Sequence, residues 1–144
     1  MNTMKISIAS DHAGYQLKTE LALYLKQLGH NVTDCGTYST DRCDYPDYAR
    51  KAALSVANGE CERGIVVCMT GIGVSIVANK VKGVRCALCV NADMAKMTRA
   101  HNNANMIAIG QKYVDLETAK QIVDNFLSTP FDGGVHAERV NKIE

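Results

Sequence analysis

A chain of 144 residues has room for one compact domain with a real core, and two independent cores would be cramped. Its 16 Lys and Arg offset 15 Asp and Glu, and a formal charge of +1 gives no reason to expect a nucleic-acid or membrane partner. The first residues carry no export-type apolar stretch and no apolar run nears membrane-spanning length, so the cytoplasm is the expected compartment.

Lys5–Ala9 predicts a short strand, followed by the polar segment Ser10-Asp-His-Ala-Gly14. Leu17, Leu21, Tyr24 and Leu28 recur at helical spacing until Gly29 stops the helix, and His30 just beyond it is expected to be exposed. A second strand covers Asn31–Cys35. Residues 37–46 form a polar loop closed by Pro46, with Tyr45 in its wall, and Asp47–Ala57 forms a helix broken at Asn58-Gly59. The third strand, Gly64–Cys68, runs into Met-Thr-Gly-Ile-Gly73 and a helix over about Val74–Lys80. Val84–Val90 and Met106–Ile109 are further strands, with helices over Ala92–Ala100 and Leu116–Leu127. Continuous apolar strands alternating with helices predict a parallel sheet covered on both faces, as a single domain. The tail, residues 131–144, is too polar for core.

Loops at the carboxyl ends of parallel strands share one edge of the sheet. That edge collects Asp11 and His12, then Cys68 to Ser75, then Asn91 to Asp93. Cys68 is either a buried strand cysteine or a base or nucleophile; Thr70, Gly71 and Gly73 are either a capped turn or a hydroxyl with amides around a developing oxyanion. The loop is no Walker motif, lacking the length and the Lys-Ser/Thr ending, and no dinucleotide fingerprint, lacking a third spaced glycine. His101 is followed by three asparagines within Asn102–Asn105, an unusual run for a connector between helix and strand, although asparagine also favours caps and turns. His136 and Arg139 share a face if the tail turns helical and are candidates to hold an anion, as are Arg42, Arg85 and Arg99.

Of the six cysteines, Cys86 and Cys89 have a metal-like spacing, but strand period two sends them to opposite faces. They read as core thiols. No metal or cofactor is called for.

Ser10-Asp-His-Ala-Gly14, Asp34-Cys-Gly-Thr37, Asp44-Tyr-Pro46, Gly71-Ile-Gly73 with Asn79-Lys80, His101-Asn-Asn-Ala-Asn105 and Asp132-Gly-Gly134 resemble, in order, the B type of ribose 5-phosphate isomerase. That family also contains the galactose 6-phosphate isomerase subunits. The resemblance runs from about Lys5 to Val140 and implies a three-layer doubly wound, Rossmann-like α/β sandwich around a five-stranded parallel sheet. It further implies a homodimer or homotetramer with sites between subunits, interconverting an aldose and a ketose phosphate through a cis-enediolate without metal.

Carried over by position, Cys68 matches the base between C2 and C1, and Thr70 a hydroxyl that relays protons between substrate oxygens. The amides of residues 71–75, including Val74, match the enediolate loop, with Ser75 adding a contact. His101 matches the ring-opening group, from a neighbouring subunit, and Asp11 a group engaging sugar oxygens. His12 and Arg139 match phosphate positions, and Asn102 a hydroxyl contact. Two positions depart from the family: Val135 stands where an arginine is usual, and Lys112 where an arginine often follows the fifth strand. The implied phosphate grip is then His12, Arg139 and Lys112, with His136 beside them. The alternatives are the same chemistry on a tetrose, allose or galactose phosphate, or a module that binds phosphosugars without turnover.

Overall fold

The structure, a computed structural model, describes residues 2–144. Five strands, β1 (Lys5–Ser10), β2 (Asn31–Asp34), β3 (Arg63–Cys68), β4 (Cys86–Leu88) and β5 (Met106–Gly110), alternate with α1 (Tyr15–Gln27), α2 (Tyr45–Ala57), α3 (Ile72–Asn79), α4 (Ala92–Asn102) and α5 (Leu116–Ser128). A short helix, α6 (Val135–Val140), closes the chain. Every strand pair is parallel, in the order β2-β1-β3-β5-β4.

Strand alternation sorts the core into two layers built from side chains of different size. Ile6, Ile8, Ile65, Val67, Ile107 and Ile109 point to one face and pack against Leu17, Leu21 and Leu25 of α1 and Ile122 and Phe126 of α5. Ala9, Val66, Cys68 and Ala108 point to the other, under Ala49, Ala52 and Ala53 of α2 and Val74 and Ala78 of α3. Small side chains on both sides of this second interface let α2 and α3 lie close to the sheet, above the end of β3. The doubly wound α/β sandwich expected from the sequence is the observed fold.

From β1 the chain moves outward to β2, then returns to place β3 on β1's other side. Ser10 pairs with Val67 in the register, so Asp11 and Cys68 leave the sheet side by side where the winding reverses. Such a reversal opens a crevice between the loops above the strand ends.

Several sequence expectations shift. β4 is only three residues long, with Asn79 covering its outer edge at Cys86, donating to its carbonyl and accepting from its amide, and with Val90 left exposed. The third helix starts at Ile72, two residues early, and α2 starts at Tyr45 with Pro46 in its first turn, where a missing N–H costs nothing. The fourth runs on through His101 and Asn102. His30 is buried, not exposed: its Nδ1 accepts a 3.1 Å bond from the Met4 amide. Cys86 and Cys89 do diverge, towards the α3 layer and the α1 layer respectively. Burial pushes both thiols up, Cys89 to about 12.

A buried cation was not legible in the sequence. Lys18 is 1% exposed, and its ammonium bonds both oxygens of Asp34 and the Thr37 carbonyl at 2.7–3.0 Å. Asp34 in turn accepts from the Gly36 amide, and residues 36 and 37 exchange backbone bonds with Ser10. The ion pair thereby fastens the loop after β2 to the end of β1.

Candidate active site

At the carboxyl edge, Cys68 ends β3 with its side chain 5% exposed. The Gly71 amide turns back and donates to its Sγ at 3.2 Å. This return needs glycine: residue 71 has φ +77°, and a Cβ there would lie 2.6 Å from Leu88 Cδ1 and 2.9 Å from the Gly110 amide nitrogen. Gly73 serves a different purpose, since a Cβ would strike the Tyr45 ring at 2.6 Å. Tyr45, expected in the wall of the 37–46 loop, is instead the first residue of α2, with its ring against Gly73.

The amides of the loop are not equivalent. Gly71 N–H is taken by Cys68, Ile72 N–H by Thr70 Oγ1 at 3.2 Å, and Ser75 N–H by the Gly71 carbonyl. Gly73 and Val74, in the first turn of α3, have no partner within the helix. The expected set of amides over residues 71–75 thus narrows to two. Val74's side chain is core, and the Ser75 hydroxyl donates to the Ile72 carbonyl at 2.7 Å. Among these groups, the two amides at a helix N-terminus are the ones suited to a developing negative charge.

Asp11, 7% exposed, accepts the Gly14 amide on Oδ1. His12 Nδ1 accepts the Cys43 amide at 3.2 Å, so in the neutral ring the proton sits on Nε2 and is available to an anion. Cys43 is a neighbour that the sequence did not single out. Nor did it single out Gln111, whose amide donates to the Cys68 carbonyl and whose Oε1 accepts from Leu17. Lys112, exposed beside it, donates its amide to Met69 and so belongs to this edge as well.

The remaining predicted residues lie elsewhere. Because α4 runs back from the carboxyl edge, His101 and Asn102 at its end are on the order of 15 Å away along the helix axis, at the amino edge. There they line a cavity of ≈ 420 Å³ with His136, Arg139, Val140 and Ile143. The His101 and His136 rings stack at 4.1 Å, and Asp132 Oδ2 lies 3.9 Å from His101 Nε2. His136 and Arg139 do share a helical turn, on α6.

The asparagine run mostly serves the backbone. Asn103 takes the left-handed conformation that caps α4, and Asn105 accepts from the Arg85 amide and donates to the Gly83 carbonyl. Arg99, one of the anion candidates, is buried and donates to the Thr129 and Ala104 carbonyls and to Asn103 Oδ1. Desolvation lowers its guanidinium to about 10. Arg85 likewise donates to the Asn103 carbonyl. Only Asn102 of the run faces the cavity.

The profile of the ribose/galactose isomerase family matches residues 6–143. The chain belongs to the ribose/galactose isomerase family. It is 45% identical over 139 residues to the ribose-5-phosphate isomerase B of Escherichia coli strain K12, covering 96% of this chain and 93% of that one. The ribose-5-phosphate isomerase B of Clostridium thermocellum superposes with a TM-score of 0.96 at 54% identity, over 97% and 95% of the two chains. That of Mycoplasma genitalium, solved with bound ribulose-5-phosphate, gives 0.92 at 42% identity, over 96% and 93%. This ribose/galactose isomerase thus carries its two groups of candidate side chains at opposite edges of one sheet.

Proposed function

We propose that this isomerase interconverts ribose 5-phosphate and ribulose 5-phosphate through a cis-enediolate, with Cys68 as base. The observation that carries the reading is the thiol at the end of β3, hydrogen-bonded by one loop amide and followed by the two unpartnered amides of Gly73 and Val74. Proton abstraction beside a carbonyl requires that pairing of a base with an electrostatic hold on the enolate oxygen.

In the forward direction, His101 from a neighbouring copy assists opening of the furanose ring. Cys68 thiolate removes the C2 proton, and the electron pair moves onto the carbonyl oxygen, held by the amides of Gly73 and Val74. Thr70 relays a proton between the two oxygens, Asp11 engages the sugar oxygens, and the Cys68 thiol returns its proton to C1. His12 and Lys112 from one chain, with Arg139 from the other, bind the phosphate and fix the sugar by binding energy remote from the reaction. Asn102 contacts a hydroxyl.

Two features support a site shared between copies. His101 and Arg139 stand too far from Cys68 to act with it in one chain. Moreover, Ile72 and Ile76, one turn apart on α3, are 48% and 56% exposed beside the site, an apolar stripe suited to a subunit interface. The cytoplasm is the compartment this sugar-phosphate chemistry implies.

The test is isomerisation of ribose 5-phosphate with solvent-proton exchange at C2 as a second readout. Tight binding without exchange would instead support a phosphosugar-binding module. A second substrate reading rests on Val135, which is 49% exposed where the family has an arginine. Comparing kcat/KM across four-, five- and six-carbon phosphates decides it, and a preference for another sugar would overturn the ribose assignment while leaving the chemistry in place.

A further inference from the structure

We propose that His101, Asp132 and His136 form a binding site for a divalent transition-metal ion of the zinc class, and that its occupancy inhibits the enzyme. One ligand atom from each of the three lies within 4.8 Å of the others. A tetrahedral ion with bonds of about 2.0–2.1 Å holds its ligands about 3.3 Å apart, so the two imidazoles, stacked 9° from parallel, must swing apart until their in-plane lone pairs converge on the ion. His101 and Asp132 are 40% and 54% exposed, which leaves them free to rotate.

The backbone holds the three donors in place. The Asp132 amide donates to the Ala100 carbonyl at 2.9 Å, which pins the tail one residue before His101. Gly133 and Gly134, at φ +70° and +58°, then turn the chain so that His136 enters α6 over the His101 ring. A simple ion pair does not account for the arrangement. At 3.9 Å the His101–Asp132 separation is too long for a hydrogen bond, and an ion pair between those two does not involve His136, whose ring stacks on His101. Two imidazoles and one carboxylate are a donor set suited to zinc, with the fourth position open to the cavity. The carboxylate supplies the negative charge that offsets the ion against Arg139 on the same cavity. Cys86 and Cys89, held in separate layers, offer no rival site.

The binding claim stands on this geometry alone, whereas the inhibitory claim rests on the ring-opening role proposed for His101. An ion on His101 occupies the lone pair that moves the proton, so ring opening stops while the Cys68 half-site is untouched.

The test uses the full chain. Zinc chloride is titrated calorimetrically, and the imidazole C–H resonances of the four histidines are followed by NMR. The expected result is one ion per chain, movement of His101 and His136 but not of His12 or His30, and affinity weakened at least about ten-fold in D132N. Inhibition, taken relative to each protein's own metal-free rate, should weaken in parallel. Unchanged affinity in both D132N and D132A, movement of His12 or His30 instead, or loss of binding on thiol alkylation would each overturn the site. Normal binding with an undiminished rate would overturn the inhibitory claim alone. A protein that binds zinc as described yet isomerises no sugar phosphate would sink the proposed reaction and the inhibition with it, not the metal site.

Discussion

Cys68 and Gly71 make opposite kinds of demand on the sequence, one chemical and one steric. If Cys68 is the base, C68A should lower kcat by about 100-fold or more with little change in substrate affinity, because general-base contributions are of that order. Steady-state kinetics beside calorimetric binding checks this, and near-normal turnover would remove the assignment. Gly71 should tolerate no side chain. G71A combines a left-handed φ with contacts below 3.0 Å to Leu88 and to the end of β5, and should cost about 2 kcal/mol or more in urea unfolding. It should also swing the amide away from Cys68 Sγ, so that activity falls further than stability accounts for. The glycines, thiol and threonine were readable in order along the chain. The division of labour among the loop amides was not, because it depends on which of them the helix and the thiol already occupy.

For elements, the informative cases are α1 and α5. Lys18 sits in the apolar stripe of α1, where a sequence pattern expects a leucine, and nothing nearby in the chain announces Asp34 as its partner. K18M should destabilise by about 2–3 kcal/mol, less than for a fully buried pair since Asp34 is one-third exposed, and K18M/D34N should recover part of the loss. Denaturant midpoints for the four members of the cycle provide the measurement. The loop tied down by Lys18 continues to Cys43, whose amide donates to His12, so K18M should also raise KM more than it lowers kcat.

Asp115 caps α5 by accepting the Thr118 amide at 2.8 Å, and that bond holds its carboxyl below the usual carboxylate range. A folded-state pKa below the unfolded one stabilises above the unfolded value and is lost as pH falls through the folded one. D115A should therefore melt below the wild type at neutral pH, with the gap closing as the pH drops below about 4. A gap of undiminished size in acid would show that the charge of the carboxylate is not what the cap contributes. Strands and helices were legible here because their apolar periods are long and regular. The edge strand β4 was overestimated because hydropathy does not report which residues find a neighbouring strand, and His30 was misplaced because a residue after a stop signal can still be folded under by the next turn.

For the whole molecule, the parallel sheet followed from the alternation of elements, while the insertion of β5 between β3 and β4 did not. No local signal encodes strand order. That order, with the direction of α4, is what parts His101 from Cys68. If two copies share each site as proposed, mixing C68A and H101A chains should restore activity to about one quarter of wild type, since half the dimers formed at random would be mixed and each would have one intact site. Mixtures as inactive as either parent would refute sharing.

The distance between the two edges has a further consequence. If the site is shared between copies as proposed, a solitary chain would carry both halves of the chemistry and be able to use neither, so specific activity would no longer be a constant of the molecule. It would decline on dilution through the association constant, recover on concentration, and be raised by substrate, which bridges the two copies and draws them together.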